Sequence, residues 1–284
     1  MSAKEDFVIE EGLLKGYIGP KSGDIVIPDE VTGCTGAPTF LDIMEGEFSL
    51  TLSKNMTCGV EDLLSQEITV LNIPSGTVLT MNYDKFNSNN GNAYFKKLHE
   101  INVSADHKEY SSRDGILFNK DQTELISCPR AISGKVVIPD TVTAIADKAF
   151  YGCALITEVV IPSGVTEIKE RTFADCKSLK KIVIPDGVTK IGNEAFLRCS
   201  KLTSAGLKGN GGKKGYTYEF PWTDEIPENA FNGMKNLKTV ELPETIKVIG
   251  KNAFKACAAL ESINLPENVK CDKKTFKDCK KLSL

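Results

Sequence analysis

One pattern recurs six times in this chain at intervals of 22 or 23 residues, with one wider gap of 35. Its clearest marker is a phenylalanine preceded by Ala or Thr: Phe150, Phe173, Phe196, Phe231, Phe254 and Phe276. Three residues after each stands Cys153, Cys176, Cys199, Met234, Cys257 or Cys279, and three further on Ile156, Leu179, Leu202, Leu237, Leu260 or Leu282. Upstream, Pro139, Pro162 and Pro185 are 23 apart, as are Pro243 and Pro266, each followed after three residues by Val or Ile. A further three residues on come Ile145, Ile168, Ile191 and Ile249, with Asp272 breaking the series. A unit this short cannot bury its own apolar side, so a fixed period means stacking, with equivalent positions lying one above another.

Within a unit the pattern separates a strand from a turn. In Leu179-Lys180-Lys181-Ile182-Val183-Ile184-Pro185, alternation points Leu179, Ile182 and Ile184 inward and Lys181 and Val183 outward. Pro185 then ends the strand where its missing N–H does least harm. The stretch from Asn193 to Arg198 predicts a short helical or 3-10 turn on the opposite side. Strands stack at about 4.8 Å per coil, so ladders of Phe, Cys and Leu should run through the core. A phenylalanine in such a ladder should cost about 3–5 kcal/mol when cut back to alanine.

The motif I-x-I-P-x-x-V-T-x-I-x-x-x-A-F-x-x-C-x-x-L resembles the repeat of the BspA-like (Treponema pallidum-type) leucine-rich-repeat family. The opening Phe7 to Leu14 with Asp24 to Pro28, and the segment Ser112 to Asp121 (a hairpin in the family), are similar to parts of such proteins. The resemblance implies a leucine-rich-repeat solenoid: stacked β-strands with short helical or 3-10 turns on the opposite face, forming a β-rich right-handed superhelix. It also implies a surface or secreted protein of the bacterial or protozoan type that binds host proteins or other cells.

Two regions depart from the period. The gap of 35 contains an insertion at about 204–224, rich in Gly and Lys and then carrying Tyr216, Tyr218, Phe220 and the single Trp222. It reads either as an aromatic plug for an irregular coil or as a recognition loop on the binding face. Residues 1–108 hold only half-repeats, such as Ile73-Pro74 and Leu98-x-x-Ile101-x-Val103. They read as degenerate coils with an N-terminal cap, or as a separate small domain, ahead of regular repeats over 109–284. At Leu284 the chain stops just as another strand would begin; that edge is tolerated, paired in end-to-end self-association, or continued in a longer protein.

Little in the chain points to catalysis, and no cofactor is expected. His99 and His107 lack metal-ligand spacing and read as surface polar residues. Neither a G-x-S-x-G elbow nor a dinucleotide fingerprint is present, and Gly212-Lys213 lacks the upstream glycine and the Ser/Thr of a phosphate loop. Of the nine cysteines, Cys153, Cys176, Cys199, Cys257 and Cys279 recur once per repeat and none forms a C-x-x-C pair, the behaviour of small buried residues rather than a disulfide or zinc framework. A net charge of -3 gives no nucleic-acid footprint, and Lys270 to Lys281, interleaved with Asp272 and Asp278, reads as a solvated face. No apolar run is long enough to span a membrane. Met1 to Asp6 lack a signal-peptide core, so the chain as written is expected in the cytoplasm, or at the surface if a leader precedes it.

What remains is a surface. The outward strand positions form the pairs Lys135/Val137, Glu158/Val160, Lys181/Val183, Thr239/Glu241 and Ser262/Asn264. Val137, Val160 and Val183 align as an apolar stripe flanked by Lys135, Glu158 and Lys181. With Tyr216, Tyr218 and Trp222 they make the expected site for a protein ligand. The other readings are a spacer segment of a larger assembly and a carbohydrate-binding surface.

Overall fold

The structure, a computed structural model, describes residues 4–34, 44–59, 66–80, 95–185, 187–202, 204–207, 224–240, 242 and 244–283. The chain divides into two compact units, residues 1–132 and 133–284.

The first unit opens with a hairpin, β1 (Phe7–Glu10) against β2 (Leu13–Tyr17). Its turn residues Glu11 and Gly12 both have positive φ (50° and 77°), the type I′ geometry whose twist matches the strands. Two parallel rows follow. One runs β2, β4 (Gly33–Cys34), β6 (Thr57–Gly59) and β8 (Val78–Thr80); the other runs β3 (Gly23–Val26), β5 (Phe48–Thr51), β7 (Ile68–Ile73) and β9 (Glu100–Val103). In the second row Ile25, Leu50, Leu71 and Ile101 share one register and are all buried. A second hairpin, β10 (Tyr110–Arg113) and β11 (Ile116–Asn119), turns through Asp114 and Gly115, and β12 (Glu124–Ser127) pairs antiparallel with β11. The hairpin expected over Ser112 to Asp121 is therefore present.

A polar column runs beside these rungs. Ser53 Oγ donates to the Val31 carbonyl at 2.7 Å, and Thr77 Oγ1 to the Ser53 carbonyl at 2.9 Å. Next in line, His107 Nε2 lies 3.1 Å from the Thr77 carbonyl. The backbone N–H groups of Glu109 and Tyr110 both donate to His107 Nδ1 at 3.1 Å. With two donors aimed at Nδ1, the proton sits on Nε2. His107 is 2% exposed, so the expectation of a surface histidine is wrong for this residue and right for exposed His99. The reason is that the hydrogen bonds of His107 are all to backbone groups, which residue spacing does not reveal.

The second unit consists of regular coils with three rows. The strand row contains β13 (Gly134–Val137), β15 (Ile156–Val160), β17 (Lys181–Ile184) and β19 (Ser204–Leu207), then β21 (Thr239–Val240) and β23 (Ser262–Ile263). Short strands β14 (Ala144–Ile145), β16 (Glu167–Ile168), β18 (Lys190–Ile191), β20 (Glu225–Ile226), β22 (Val248–Ile249) and β24 (Lys270–Cys271) supply the second. The third row is made of turns. Leu179, Ile182 and Ile184 point inward as the alternation demands, and β17 ends immediately before Pro185.

The turn row differs from the helical turns expected there: among the described residues of this unit it contains no helix. The backbone explains why. In each coil the residue two positions after the phenylalanine has positive φ: Gly152, Asp175, Arg198, Gly233, Ala256 and Asp278. In five coils the residue two positions before it does so as well: Lys148, Arg171, Glu194, Asn229 and Asn252. Left-handed residues this close together prevent a right-handed helix. Alternate N–H groups turn toward the next coil, while those between them close single i→i+3 turns. Phe150, Phe173, Phe196, Phe231 and Phe254 donate to the carbonyls of Thr172, Ala195, Ala230, Ala253 and Thr275 at 2.9–3.0 Å.

The side-chain ladders match expectation. Successive Phe rings from Phe150 to Phe276 stack with centroids 5.0–5.8 Å apart. Cysteines at the marker position are buried up to Cys257 and half-buried at Cys279, and several do more than fill space. Cys176, Cys199, Cys257 and Cys279 each donate the thiol proton to the phenylalanine carbonyl of the preceding coil, at 3.0–3.3 Å.

The insertion interrupts two rows and spares the third. Among the described residues neither β18 and β20 nor β19 and β21 are paired. Across the same step the turn row continues, with Glu194 to Glu228 at 3.1 Å, Phe196 to Ala230 at 3.0 Å and Arg198 to Asn232 at 2.8 Å. The rings of Phe196 and Phe231 remain stacked.

Candidate protein-binding face

The register of the strand row fixes the geometry of the outward residues. Lys135, Glu158 and Lys181 stand opposite one another on β13, β15 and β17, as do Val137, Val160 and Val183. Between those columns Val136, Val159 and Ile182 point inward and are buried, so alternation leaves the two columns on the outer side. Val137 is 58% exposed, while Val160 and Val183 are half-buried by their neighbours in the column.

The charged column is internally paired. Lys135 Nζ lies 3.1 Å and Lys181 Nζ 3.6 Å from Glu158 Oε1. The hydrogen bond from Lys135, aided by the charges of both lysines and opposed by partial desolvation, holds the Glu158 carboxyl below the usual carboxylate range. The long side chains are thereby drawn together along one edge and leave the valine column open. Of the other expected pairs, Ser262 and Asn264 are exposed and Thr239 is half-buried. Asn264 exchanges two hydrogen bonds with the backbone of Leu242. Glu241, and Tyr216, Tyr218 and Trp222 of the insertion, lie outside the described residues.

Sequence reading missed how the charges pair. Acidic residues that look scattered along the chain stand over basic residues one coil away. Glu167 pairs with Lys190 at 2.8 Å, Asp175 with Arg198 at 2.7 Å, Glu194 with Arg171, and Asp224 with Lys247 at 3.5 Å. Each pair is 23 residues apart, the period itself, so comparing residue i with i+23 would have found them. Where the short-strand row breaks, a groove of about 760 Å³ opens between Glu167, Lys190, Gly192 and Asn193 on one side and Asp224 and Glu225 on the other.

The model of the BspA type leucine rich repeat region, in 6 copies, matches residues 131–220 and 217–284, more than half of the chain. The chain belongs to this family. The BspA-type repeats are similar in fold to a leucine-rich repeat protein from Eubacterium ventriosum, with 22% identity, a TM-score of 0.66, and 92% of this chain covering 71% of that one. They are likewise similar to the pneumococcal vaccine antigen PcpA, with 17% identity, a TM-score of 0.56, and 86% of this chain covering 68% of that one. No curated protein matches significantly.

Among the described residues of this BspA-type chain no group of three or more His, Cys, Asp or Glu side chains is placed to hold a metal ion. Among the described residues the one thiol held below its usual range is that of Cys279, beside Cys257, whose own thiol is pushed up by that neighbour and by burial. No helix of the described residues is long and apolar enough to cross a membrane.

Proposed function

We propose that the second unit is a non-catalytic protein-binding module and that Val137, Val160 and Val183 form the centre of its contact face. The observation that carries this reading is the register-aligned valine column beside the paired Lys135–Glu158–Lys181 column. Parallel strands stacked at one spacing give a flat, preorganised surface, so little conformational entropy is lost on association. An apolar centre with a polar margin is the general anatomy of a protein interface. Because Glu158 is shared by two lysines, the column keeps a net charge of only +1, which leaves specificity mainly to shape and apolar contact. Family membership supports an interaction or surface-associated role in general terms.

The test is a screen of the purified protein against extracellular-matrix and cell-surface proteins, with titration of each saturable hit. The double variant Val160→Glu, Val183→Glu should lose binding while its thermal midpoint stays nearly unchanged. Undiminished binding by the folded variant would remove the valine column from the interface.

A further inference from the structure

The last two coils carry a larger excess of one charge than the coils before them. Upstream, the columns Lys135–Glu158–Lys181, Glu167–Lys190, Arg171–Glu194 and Asp175–Arg198 alternate in sign and pair across the step, while Asp147 over Glu170 and Lys148 over Arg171 do not alternate. From Gly233 onward the chain carries eleven lysines against six carboxylates, and like charges stand over like. Lys247 and Lys270 occupy the same position four residues after their prolines, and the Lys270 N–H donates to the Lys247 carbonyl at 2.9 Å. Lys251 and Lys273 both lie three residues before their phenylalanines, and Lys255 and Lys277 both lie one after. In these coils, among the described residues, Lys247 pairs with Asp224 and Lys281 with Glu261. Lys251, Lys255, Lys270, Lys273, Lys274 and Lys277 have no carboxylate partner there. All six are exposed except half-buried Lys255.

Stacking like charges at one coil spacing costs self-repulsion, and it creates a strip of positive potential parallel to the stack. Three features narrow what such a strip fits. The segment from Gly233 has no arginine, so it lacks the planar forks that grip phosphates in pairs. Its aromatic residues are Phe254 and Phe276, both committed to the stacked ladder, so nucleic-acid bases find no stacking platform. The turn side offers no aromatic or large apolar anchor, and lysine is depleted at protein interfaces; the exposed Leu265 follows β23 on the strand side. A partner bound by spaced point charges alone is what remains.

We propose that Lys251, Lys255, Lys270, Lys273 and Lys277 bind a linear acidic polysaccharide, whose sulfate or carboxylate groups run along the stack from one coil to the next. This site is separate from the valine column and does not depend on it.

The experiment is titration of the full chain with a size-defined heparin oligosaccharide, with polyglutamate and a single-stranded oligonucleotide of equal charge as comparators. The expected result is saturable heparin binding that weakens steeply with added salt as counterions are released. It should weaken at least tenfold in Lys251→Glu, Lys273→Glu, Lys277→Glu, with a smaller loss in the corresponding glutamine variant and none in Val160→Glu, Val183→Glu. Circular dichroism keeps misfolding distinguishable from lost binding. Absence of saturable binding at about physiological ionic strength (where the Debye length is ~8 Å) overturns the proposal, as does full binding by the folded triple variant. Equal or tighter binding of polyglutamate or the oligonucleotide overturns the assignment to polysaccharide.

Discussion

Phe173 and His107 show two ways in which a buried side chain holds a stack together. Phe173 lies between the rings of Phe150 and Phe196, at 5.0 and 5.6 Å, and is completely buried. Phe173→Ala opens a cavity between two rungs and should cost about 3–5 kcal/mol in urea unfolding; a near-neutral result would contradict the ladder. His107→Ala creates less empty space but strands three backbone groups, the Thr77 carbonyl and the N–H groups of Glu109 and Tyr110. Each buried group left without a partner costs about 1–3 kcal/mol. The variant should therefore be destabilised to an extent its small change of apolar area does not explain, measurable in the same denaturation experiment. Only the first of these residues was legible in the sequence. The Phe column repeats its own identity, whereas His107 takes the place of Thr77 and Ser53 in a column whose members share polarity but no residue type.

At the level of the element, each coil is legible to the degree that its geometry demands a particular side chain. Strand alternation demands apolar residues at fixed steps, so the inward and outward assignments of β13, β15 and β17 hold residue by residue. The turn demands a left-handed backbone two residues after the phenylalanine. Gly152, Asp175, Arg198, Gly233, Ala256 and Asp278 all meet it, and so mixed a column leaves no signature; the expected short turns are present as separate i→i+3 turns and do not join into a helix. A tighter constraint acts where β18 ends. A Cβ on Gly192 would lie 2.6 Å from the backbone of Lys169 and Glu170, and one on Gly250 would lie 2.7 Å from the Glu228 nitrogen. Backbone cannot yield as a flexible side chain can, so Gly192→Ala should destabilise by about 1–3 kcal/mol, although alanine favours most exposed sites. A stabilised variant in thermal unfolding would show that the two coils can separate at this point.

On the scale of the second unit, stability depends on how neighbouring coils are joined. In stacked repeats each unit contacts only its neighbours, so one weak step divides the array. The described residues cross the insertion by the turn row and the Phe196–Phe231 contact, while both strand rows stop there. Native-state hydrogen exchange should accordingly find two cooperative blocks, residues 133–202 and 224–283, opening with different free energies. Phe196→Ala should widen the difference, and uniform protection across the unit would refute the division. The sequence located this step through its gap of 35 residues. It did not show which rows survive, because that depends on where the added residues leave the coil rather than on how many there are.

Direction is a property of the turn row that no single hydrogen bond reveals. From Lys148 to Ala256 its coil-to-coil bonds all point one way, the earlier coil giving N–H and the later giving C=O. Peptide dipoles aligned in this manner add instead of cancelling, as they do in an α-helix, where the sum amounts to about half an elementary charge at each end. The positive pole here faces the coils of Lys251, Lys255, Lys273 and Lys277. The backbone therefore reinforces the potential that those lysines set up, and replacing them by glutamine would lower that potential without reversing the field beneath it.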